Sequence, residues 1–333
     1  MSEVRALVLI LAAVFPATAR AADVVALDAP TPVSAYGGRL LWSQRNAQGA
    51  FRLYTRARGV TARVPVPARR VAFDADLGPN VAHHVAAVYS RCRQDPPPTS
   101  GFGAPALYNR GRGCDIYEYD FATGTERRLA AVSSPVATEA WPSIWRARIV
   151  FERVYDARRN TPFLYTQVLG TRGGSRRLPA GPAGQSGVSH VTGLDLRGRR
   201  AAFAWTFEGH AEGLDTEIRL DTIGQGARVV AHQRGGGLTQ VVLGAPALDD
   251  RFVSWAQSCW GDSSGCPQRH WLVRQPIGGG TVERAPSPAH VVWQARDGGQ
   301  TYVLQDIQLN GMCMSDPPAG PTCTLRTAAP HYG

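Results

Sequence analysis

Short runs of apolar residues, separated by polar turns, recur along the whole chain. The stretch from Thr138 to Gly170 shows the pattern most clearly, with apolar runs at 149–151 and 163–166 on either side of a polar turn at 158–160. Two strand-like runs joined by a turn predict a β-hairpin. Because similar phrases recur elsewhere, we interpret this hairpin as part of one unit of a repeat protein.

The repeat has a nearly regular spacing. The residue before each recurring apolar run lies at position 39, 84, 148, 200, 251 and 300, so the units start 45 to 64 residues apart. This spacing is typical of a four-stranded blade, and six units predict an all-β, six-bladed β-propeller. The last unit lacks an outer strand, and Val24 to Leu27 is a strand without a nearby partner. We therefore expect the N-terminal strand to close the ring.

The fourth unit carries the phrase Leu-Asp-Leu-Arg-Gly-Arg-Arg-Ala-Ala-Phe at 194–203. This phrase resembles the Trp-Ser-Pro-Asp-Gly-Lys-Arg-Ile-Ala-Phe repeat of TolB-like six-bladed β-propellers. The residues that match it one for one are Gly198, Arg200, Ala202 and Phe203. Pro142 and Trp145 of the preceding unit are similar to the proline and aromatic residue that lead into that repeat. One fold serves many functions, so the resemblance implies architecture and not activity.

The N-terminus has the order of a secretory signal peptide. An apolar run from Ala6 to Phe15 is followed by Pro16 and by the small-x-small sequence at 19–21. We predict a signal peptide over residues 1–21 and a single propeller domain over 22–333. The run is short for a membrane span, and no second apolar segment of about 18 residues follows it. The expected protein is secreted, periplasmic or attached to the cell envelope, without a membrane span.

The six cysteines fall in three pairs that are close in sequence. The pairs are Cys92 with Cys114, Cys259 with Cys266, and Cys313 with Cys323. Each pair flanks the polar loop between the second and third strands of its unit, so we predict three disulfides that tie these loops. Disulfides agree with export to an oxidising compartment. A zinc site would need closely spaced cysteine pairs that converge, and these spacings do not fit one.

The chain has a net charge of +10, and all 36 of its basic residues are arginine because it contains no lysine. Pairs of arginines are spread over the blades, at 69–70, 127–128, 158–159, 176–177 and 199–200. A nucleic-acid-binding protein more often shows a concentrated stripe in a recognisable module, so we predict no nucleic-acid partner. Two interpretations remain: a solvated, arginine-rich surface, or association with an anionic envelope polymer or lipid.

Candidate catalytic and metal-binding groups are few. The stretch 261–265, Gly-Asp-Ser-Ser-Gly, resembles the nucleophile phrase of trypsin-like proteases, but the chain lacks the Ala-Ala-His-Cys phrase that carries the histidine of that family. The stretch 184–187 lacks the strand-turn-helix context of a hydrolase nucleophile. Neither His83–His84 nor His190 with Asp195 has a complete set of metal ligands. We predict no catalytic residue, no metal and no cofactor.

Aromatic residues recur near the ends of the predicted inner strands. They are Trp42, Tyr89, Trp145, Phe151, Trp205, Trp255 and Trp293. Neighbouring blades must bury one another face to face, so we expect these side chains to pack between blades. A lectin-like sugar pocket is the alternative.

Together these patterns predict an exported, monomeric propeller without enzymatic activity, which binds a protein or an anionic envelope polymer through one end of its ring. The alternative is a ligand site at the end of the central channel that acts as a lectin or a hydrolase. Such a site would require polar side chains that converge from several inner strands.

Overall fold

Six antiparallel sheets form a ring in the computed structural model, which describes residues 21–95, 111–155, 163–178, 189–210, 213–234, 240–260, 269–307 and 320–332. Each sheet is a meander, and the first strands of neighbouring sheets contact one another around a central channel. The chain is therefore an all-β, six-bladed propeller of four-stranded blades, as the repeat predicts.

The strands are numbered in chain order, and the N-terminal strand is β1 (Asp23–Leu27). Blade one comprises β2 (Val33–Tyr36), β3 (Arg39–Arg45), β4 (Phe51–Ala57) and β5 (Val60–Arg63). Blade two comprises β6 (Asp76–Pro79), β7 (Val85–Gln94), β8 (Arg112–Asp120) and β9 (Thr125–Arg128). A short 3-10 turn (Ala130–Val132) leads to blade three, which comprises β10 (Ala137–Trp145), β11 (Arg148–Tyr155), β12 (Phe163–Val168) and β13 (Arg176–Arg177).

The second half of the ring repeats this plan. Blade four comprises β14 (Ser189–Arg197), β15 (Arg200–His210), β16 (Gly213–Thr222) and β17 (Gly226–Gln233). The inner strand of blade five has two pieces, β18 (Gln240–Leu243) and β19 (Ala247–Leu248), followed by β20 (Phe252–Trp260), β21 (Arg269–Pro276) and β22 (Glu283–Ser287). Blade six comprises β23 (Val291–Asp297), β24 (Gln300–Asp306), β25 (Cys323–Ala328) and β1.

The ring is closed by its two terminal strands. Strand β1 pairs antiparallel with β25, with Leu27 opposite Cys323 and Ala26 opposite Thr324. The backbone N–H of Thr327 also donates a hydrogen bond of 2.9 Å to the carbonyl oxygen of Ala22. The predicted closure by the N-terminal strand is confirmed, and it supplies blade six with the outer strand that the last repeat unit lacks.

Apolar side chains fill the seams between the blades, because each sheet has a neighbour on both faces. Phe151 is fully buried in the seam between blades two and three, against Val88, Ile116 and Ile149. Its ring stacks on Tyr165 with a centroid separation of 6.1 Å. The hairpin that the sequence predicts around Phe151 is therefore the core of blade three, and its second strand carries most of the packing.

The tryptophans divide into two groups. Trp42, Trp205 and Trp255 lie in second strands and are buried between blades, as predicted. Trp145 and Trp293 lie in first strands and line the central channel, so the prediction that they pack between blades is wrong. The sequence could not separate the groups because an apolar residue near a strand end fits either a seam or a channel wall.

The first strands of blades one and two have only four residues each, and that of blade two carries Gly78 and Pro79, which hides them in the sequence. In β6, a Cβ atom added to Gly78 would lie 1.9 Å from the carbonyl oxygen of Ile144 in blade three. Only glycine permits this close approach of neighbouring inner strands. The apolar runs that define the repeat therefore belong mainly to the second strand of each blade.

Cys92 and Cys114 lie opposite one another on β7 and β8 and form a disulfide, as predicted. Cys259 and Cys323 each take part in a disulfide as well. Cys266 and Cys313 lie outside the described residues, so the pairing of these four cysteines stays a prediction. Among the described residues, no helix has the length and apolar character needed to cross a membrane.

Candidate functional site

The inner strands place a belt of polar side chains around the central channel. Ser34, Asp76, Ser143 and Asp195 come from blades one to four and occupy corresponding places in their strands. The carboxylate of Asp76 accepts hydrogen bonds from Ser34 Oγ at 2.6 Å and from Ser143 Oγ at 2.5 Å. One aspartate therefore connects three blades through both of its oxygens.

Backbone groups extend this belt beyond blade three. Ser34 Oγ accepts the N–H of Leu77 at 2.9 Å, and Ser143 Oγ accepts the N–H of Leu196 at 2.8 Å. Asp195 accepts the N–H of Leu248 in blade five at 2.6 Å. The serines and aspartates of this belt are thus engaged in hydrogen bonds between blades.

Burial raises the pKa of both channel carboxyls. The pKa of Asp76 rises to about 8, with the neighbouring charge of Asp195 acting in the same direction, while the hydrogen bonds from Ser143 and Ser34 oppose the shift. Burial likewise raises the pKa of Asp195 to about 6, against the opposing effect of the Leu248 N–H. Both carboxyls hold a proton more readily than an exposed aspartate does.

Two tryptophans stack across the channel. The rings of Trp141 and Trp293 lie parallel within 8°, with centroids 5.8 Å apart. Trp141 lies in a β-bulge of β10 with φ of 49°, and its backbone N–H donates a hydrogen bond to Asp74 Oδ2 at 2.8 Å. The cavity left between the inner strands is about 40 Å³, which is room for about three water molecules.

The end of the ring that carries the turns between first and second strands is called here the turn face. Contacts between neighbouring turns show that they share one end: Arg197 pairs with Asp250 at 2.7 Å, and Arg296 pairs with Asp249 at 3.0 Å. The N–H of Gly38 donates to Asp297 Oδ2 at 2.6 Å. Tyr36, Trp145 and Arg197, near these turns, are among the residues that line the channel.

Aromatic and cationic side chains meet at the mouth of the channel on the turn face. Tyr36 packs edge-on against Trp145 with centroids 5.4 Å apart, and the guanidinium of Arg197 lies 4.8 Å from the Trp145 ring centre. Beside them is the mouth pocket, about 420 Å³, whose lining includes Trp145, Arg199, Arg200 and Asp250. An aromatic face next to guanidinium groups can hold a ligand that is planar, sugar-like or anionic.

A second cavity adjoins the first along the seam between blades three and four. This seam pocket, about 370 Å³, is lined by Arg148 on β11, Arg176 on β13 and Arg199 in the first turn of blade four. Burial lowers the pKa of Arg148, and the charges of Arg199 and Arg176 act in the same direction. Arg199 lines both cavities, so the mouth pocket and the seam pocket adjoin one another on the turn face.

The structure separates the histidines named from the sequence. His83 is an exposed turn residue with φ of 64°, and His84 Nδ1 lies 2.9 Å from Asp120 Oδ2. Asp195 lies in the channel belt, whereas the side chain of His190 lies outside what the structure describes. No group of three or more His, Cys, Asp or Glu side chains that could hold a metal occurs among the described residues.

Both serine-containing stretches that resemble catalytic phrases, 184–187 and 261–265, lie outside the described residues. The channel residues that sequence reasoning missed are Asp76, Ser143 and Trp141. A weak signal for them existed, because a serine or aspartate recurs just before the first turn in four of the six units, as Ser34, Asp76, Ser143 and Asp195. Nothing in the sequence indicated that Arg148, Arg176 and Arg199 converge.

No protein-family model matches the chain, and no curated protein matches it. Among solved structures, TolB from Acinetobacter baumannii aligns over 88% of this chain with 15% identity and a TM-score of 0.49. The chain spans 64% of the length of that TolB. The sheet arrangement of this chain is that of a six-bladed β-propeller.

A second similar structure is the α-L-arabinanase of Penicillium chrysogenum complexed with arabinobiose. It aligns over 93% of this chain and 98% of its own, with 9% identity and a TM-score of 0.50. Sequence identities this low show the fold alone, since the same propeller carries unrelated functions.

Proposed function

We propose that this protein is an exported, non-enzymatic propeller that binds a protein or an anionic polymer of the cell envelope through its turn face. The proposal includes a signal peptide at residues 1–21, a mature chain from residue 22, and a monomeric state without a cofactor or nucleic-acid partner. The Cys92–Cys114 disulfide is consistent with an oxidising compartment.

One contrast carries the proposal. The carboxylates of the channel are engaged in hydrogen bonds between blades, and the cavity beside them has room for only a few water molecules. The mouth pocket and the seam pocket are larger, open on the turn face and contain arginines. Binding of an external partner is therefore better supported on this face than inside the channel.

Crosslinking in the native envelope tests the proposal. A photo-reactive amino acid is placed at Gln225, an exposed residue of the turn face, and in a matched variant at Gln48, an exposed residue of a loop between second and third strands at the other end of the ring. We expect discrete crosslinked products from position 225 and none from position 48. Equal products from both positions, or none from position 225, would contradict binding through the turn face.

The second candidate function is a ligand site at the channel end that acts as a lectin or hydrolase. Trp145, flanked by Tyr36 and Arg197, favours it because a partly exposed aromatic ring at a pocket wall can stack on a sugar. Titration with neutral and acidic oligosaccharides, followed by tryptophan fluorescence in the wild type and in Trp145→Ala, tests this function. A saturable change that disappears in the variant supports a sugar site, and release of reducing sugar would distinguish a hydrolase from a lectin.

A further inference from the structure

We propose that the seam pocket between blades three and four is a binding site for a doubly charged oxyanion, a phosphate or sulfate group, held by Arg148, Arg176 and Arg199. The pocket lies on the face that we propose binds the partner, so the inference deepens that proposal by naming the ligand chemistry. It rests on the position and charge of three guanidinium groups.

The three arginines converge from separate parts of the fold. Arg148 starts the second strand of blade three, Arg176 lies in the fourth strand of that blade, and Arg199 lies in the first turn of blade four. All three line one cavity of about 370 Å³, together with Thr171 and Gly174. A cavity of this size accepts a phosphate or sulfate group with part of the molecule that carries it.

No ion pair with a described residue neutralises the positive charge of the pocket. Within the part of the chain that the structure describes, none of the three guanidiniums has a carboxylate oxygen within 4.0 Å, whereas Arg153, Arg197 and Arg274 each do. Among the described residues, the one hydrogen bond that a guanidinium of this trio donates goes from Arg199 Nη2 to the carbonyl oxygen of Ile223, at 2.7 Å. Most of their N–H groups are therefore available to a ligand.

The arginines also repel one another. The lowered pKa of Arg148 follows from its burial, and then from the charges of Arg199 and Arg176. Asp221 is a fully buried carboxyl whose pKa is raised by burial and lowered in part by the charge of Arg176. A bound dianion would reduce the repulsion between these three cations, which contact no carboxylate among the described residues. Guanidinium groups bind the oxygens of phosphate and sulfate through paired hydrogen bonds.

The occupant is either a free ion or a charged group on a polymer, and the adjoining mouth pocket allows the two to be distinguished. Arg200 lines the mouth pocket but not the seam pocket. A free ion in the seam pocket would not contact Arg200. A polymer anchored there would extend across the turn face towards Trp145 and would contact it.

Calorimetric titration of the purified protein with inorganic phosphate and with sulfate, at constant ionic strength set with chloride, tests the site. We expect saturable binding to the wild type, and about a tenfold or greater loss of affinity in Arg176→Gln, since each lost charge-assisted hydrogen bond weakens binding by at least that factor. Arg176→Lys keeps the charge and should retain part of the affinity. Arg176 is exposed, so these variants should fold, which circular dichroism confirms.

Arg284→Gln is the matched control, because Arg284 is also an exposed arginine in the fourth strand of a blade, β22 of blade five. It should bind phosphate within about twofold of the wild type. Absence of saturable phosphate or sulfate binding, or an equal loss in Arg176→Gln and Arg284→Gln, would overturn the proposed site.

The polymer arm uses dextran sulfate with unmodified dextran of the same length as the blank. If binding of dextran sulfate weakens in Arg200→Gln while binding of phosphate does not, the occupant is a polymer-borne group; if neither changes, it is a free ion. Phosphate binding without crosslinking at position 225 would keep the site and remove the proposed partner face. Crosslinking at position 225 without phosphate binding would keep the proposed partner face and remove the anion site.

Discussion

The central channel and the seam pocket both contain several charged side chains, but they differ in whether those side chains have bonding partners within the protein. In the channel, both oxygens of Asp76 accept hydrogen bonds from serines of neighbouring blades. In the seam pocket, Arg148 and Arg176 have no contacting carboxylate among the described residues. Polar groups with complete hydrogen bonding stabilise a fold, whereas unmatched ones are available to a ligand. The first region therefore holds the ring together, and the second is the better candidate for binding.

Phe151→Ala gives the largest expected effect and sets the scale for the comparison. The ring is fully buried between blades two and three, and its removal leaves a cavity in a close-packed seam. We expect the free energy of unfolding to fall by about 3 to 5 kcal/mol. Urea denaturation measures it, and a neutral result would mean that apolar seams do not dominate the stability of the ring.

Asp76→Ala should cost nearly as much, although it removes a polar group. The substitution leaves Ser34 and Ser143 without their shared acceptor inside the channel, so we expect a loss of about 3 kcal/mol. Asp250→Ala is the matched control, since that aspartate is 78% exposed and forms a surface ion pair with Arg197. The control should cost less than about 1 kcal/mol. Equal losses from both variants would show that the belt does not connect the blades.

The channel should also make stability depend on pH. The pKa of Asp76 is about 8 in the folded protein, whereas an unfolded aspartate has a pKa of about 3.9. Between these values the folded state binds more protons than the unfolded state, so stability should fall as the pH rises from 5 to 8. Asp76→Asn should flatten this dependence in urea denaturation at the two pH values. A slope equal to that of the wild type would place the titrating group elsewhere.

Arg176→Gln should have the smallest effect on stability, although it should have a large effect on anion binding. The side chain is exposed and has no ion pair among the described residues, and its removal reduces repulsion on Arg148. We expect the free energy of unfolding to change by no more than about 0.5 kcal/mol, towards higher stability. A loss above about 1 kcal/mol in thermal or urea denaturation would show that this arginine supports the fold, as Asp76 does.

The architecture could be predicted because the second strand of each blade carries a long apolar run, as in Leu40 to Ser43 and Ala201 to Trp205. The first strands were harder to find. They carry Ser34, Asp76 and Gly78 at positions where a strand with one buried face would have apolar residues. At Gly78 the backbone of Ile144 approaches too closely for any side chain, and that local constraint is not visible in composition.

The seam pocket could not be predicted at all. The sequence shows arginine pairs at 176–177 and 199–200, but neighbouring residues of a strand point to opposite sides. Arg177 lies over the ring of Phe163 at 3.6 Å, while Arg176 lines the pocket. Only the ring arrangement brings Arg148, Arg176 and Arg199 together, since they come from two blades and lie as far as 51 positions apart in the sequence.

The pairing of β1 with β25 has a consequence for the order in which this protein can fold. Of the strands that the structure describes, β1 is made first and its partner β25 is made last. The first blades can form while the chain is still growing, but the outer edge of blade six stays incomplete until β25 arrives, and contacts this distant in sequence form slowly. Removing β25 should therefore leave two open sheet edges at once, and the truncated chain should aggregate through them.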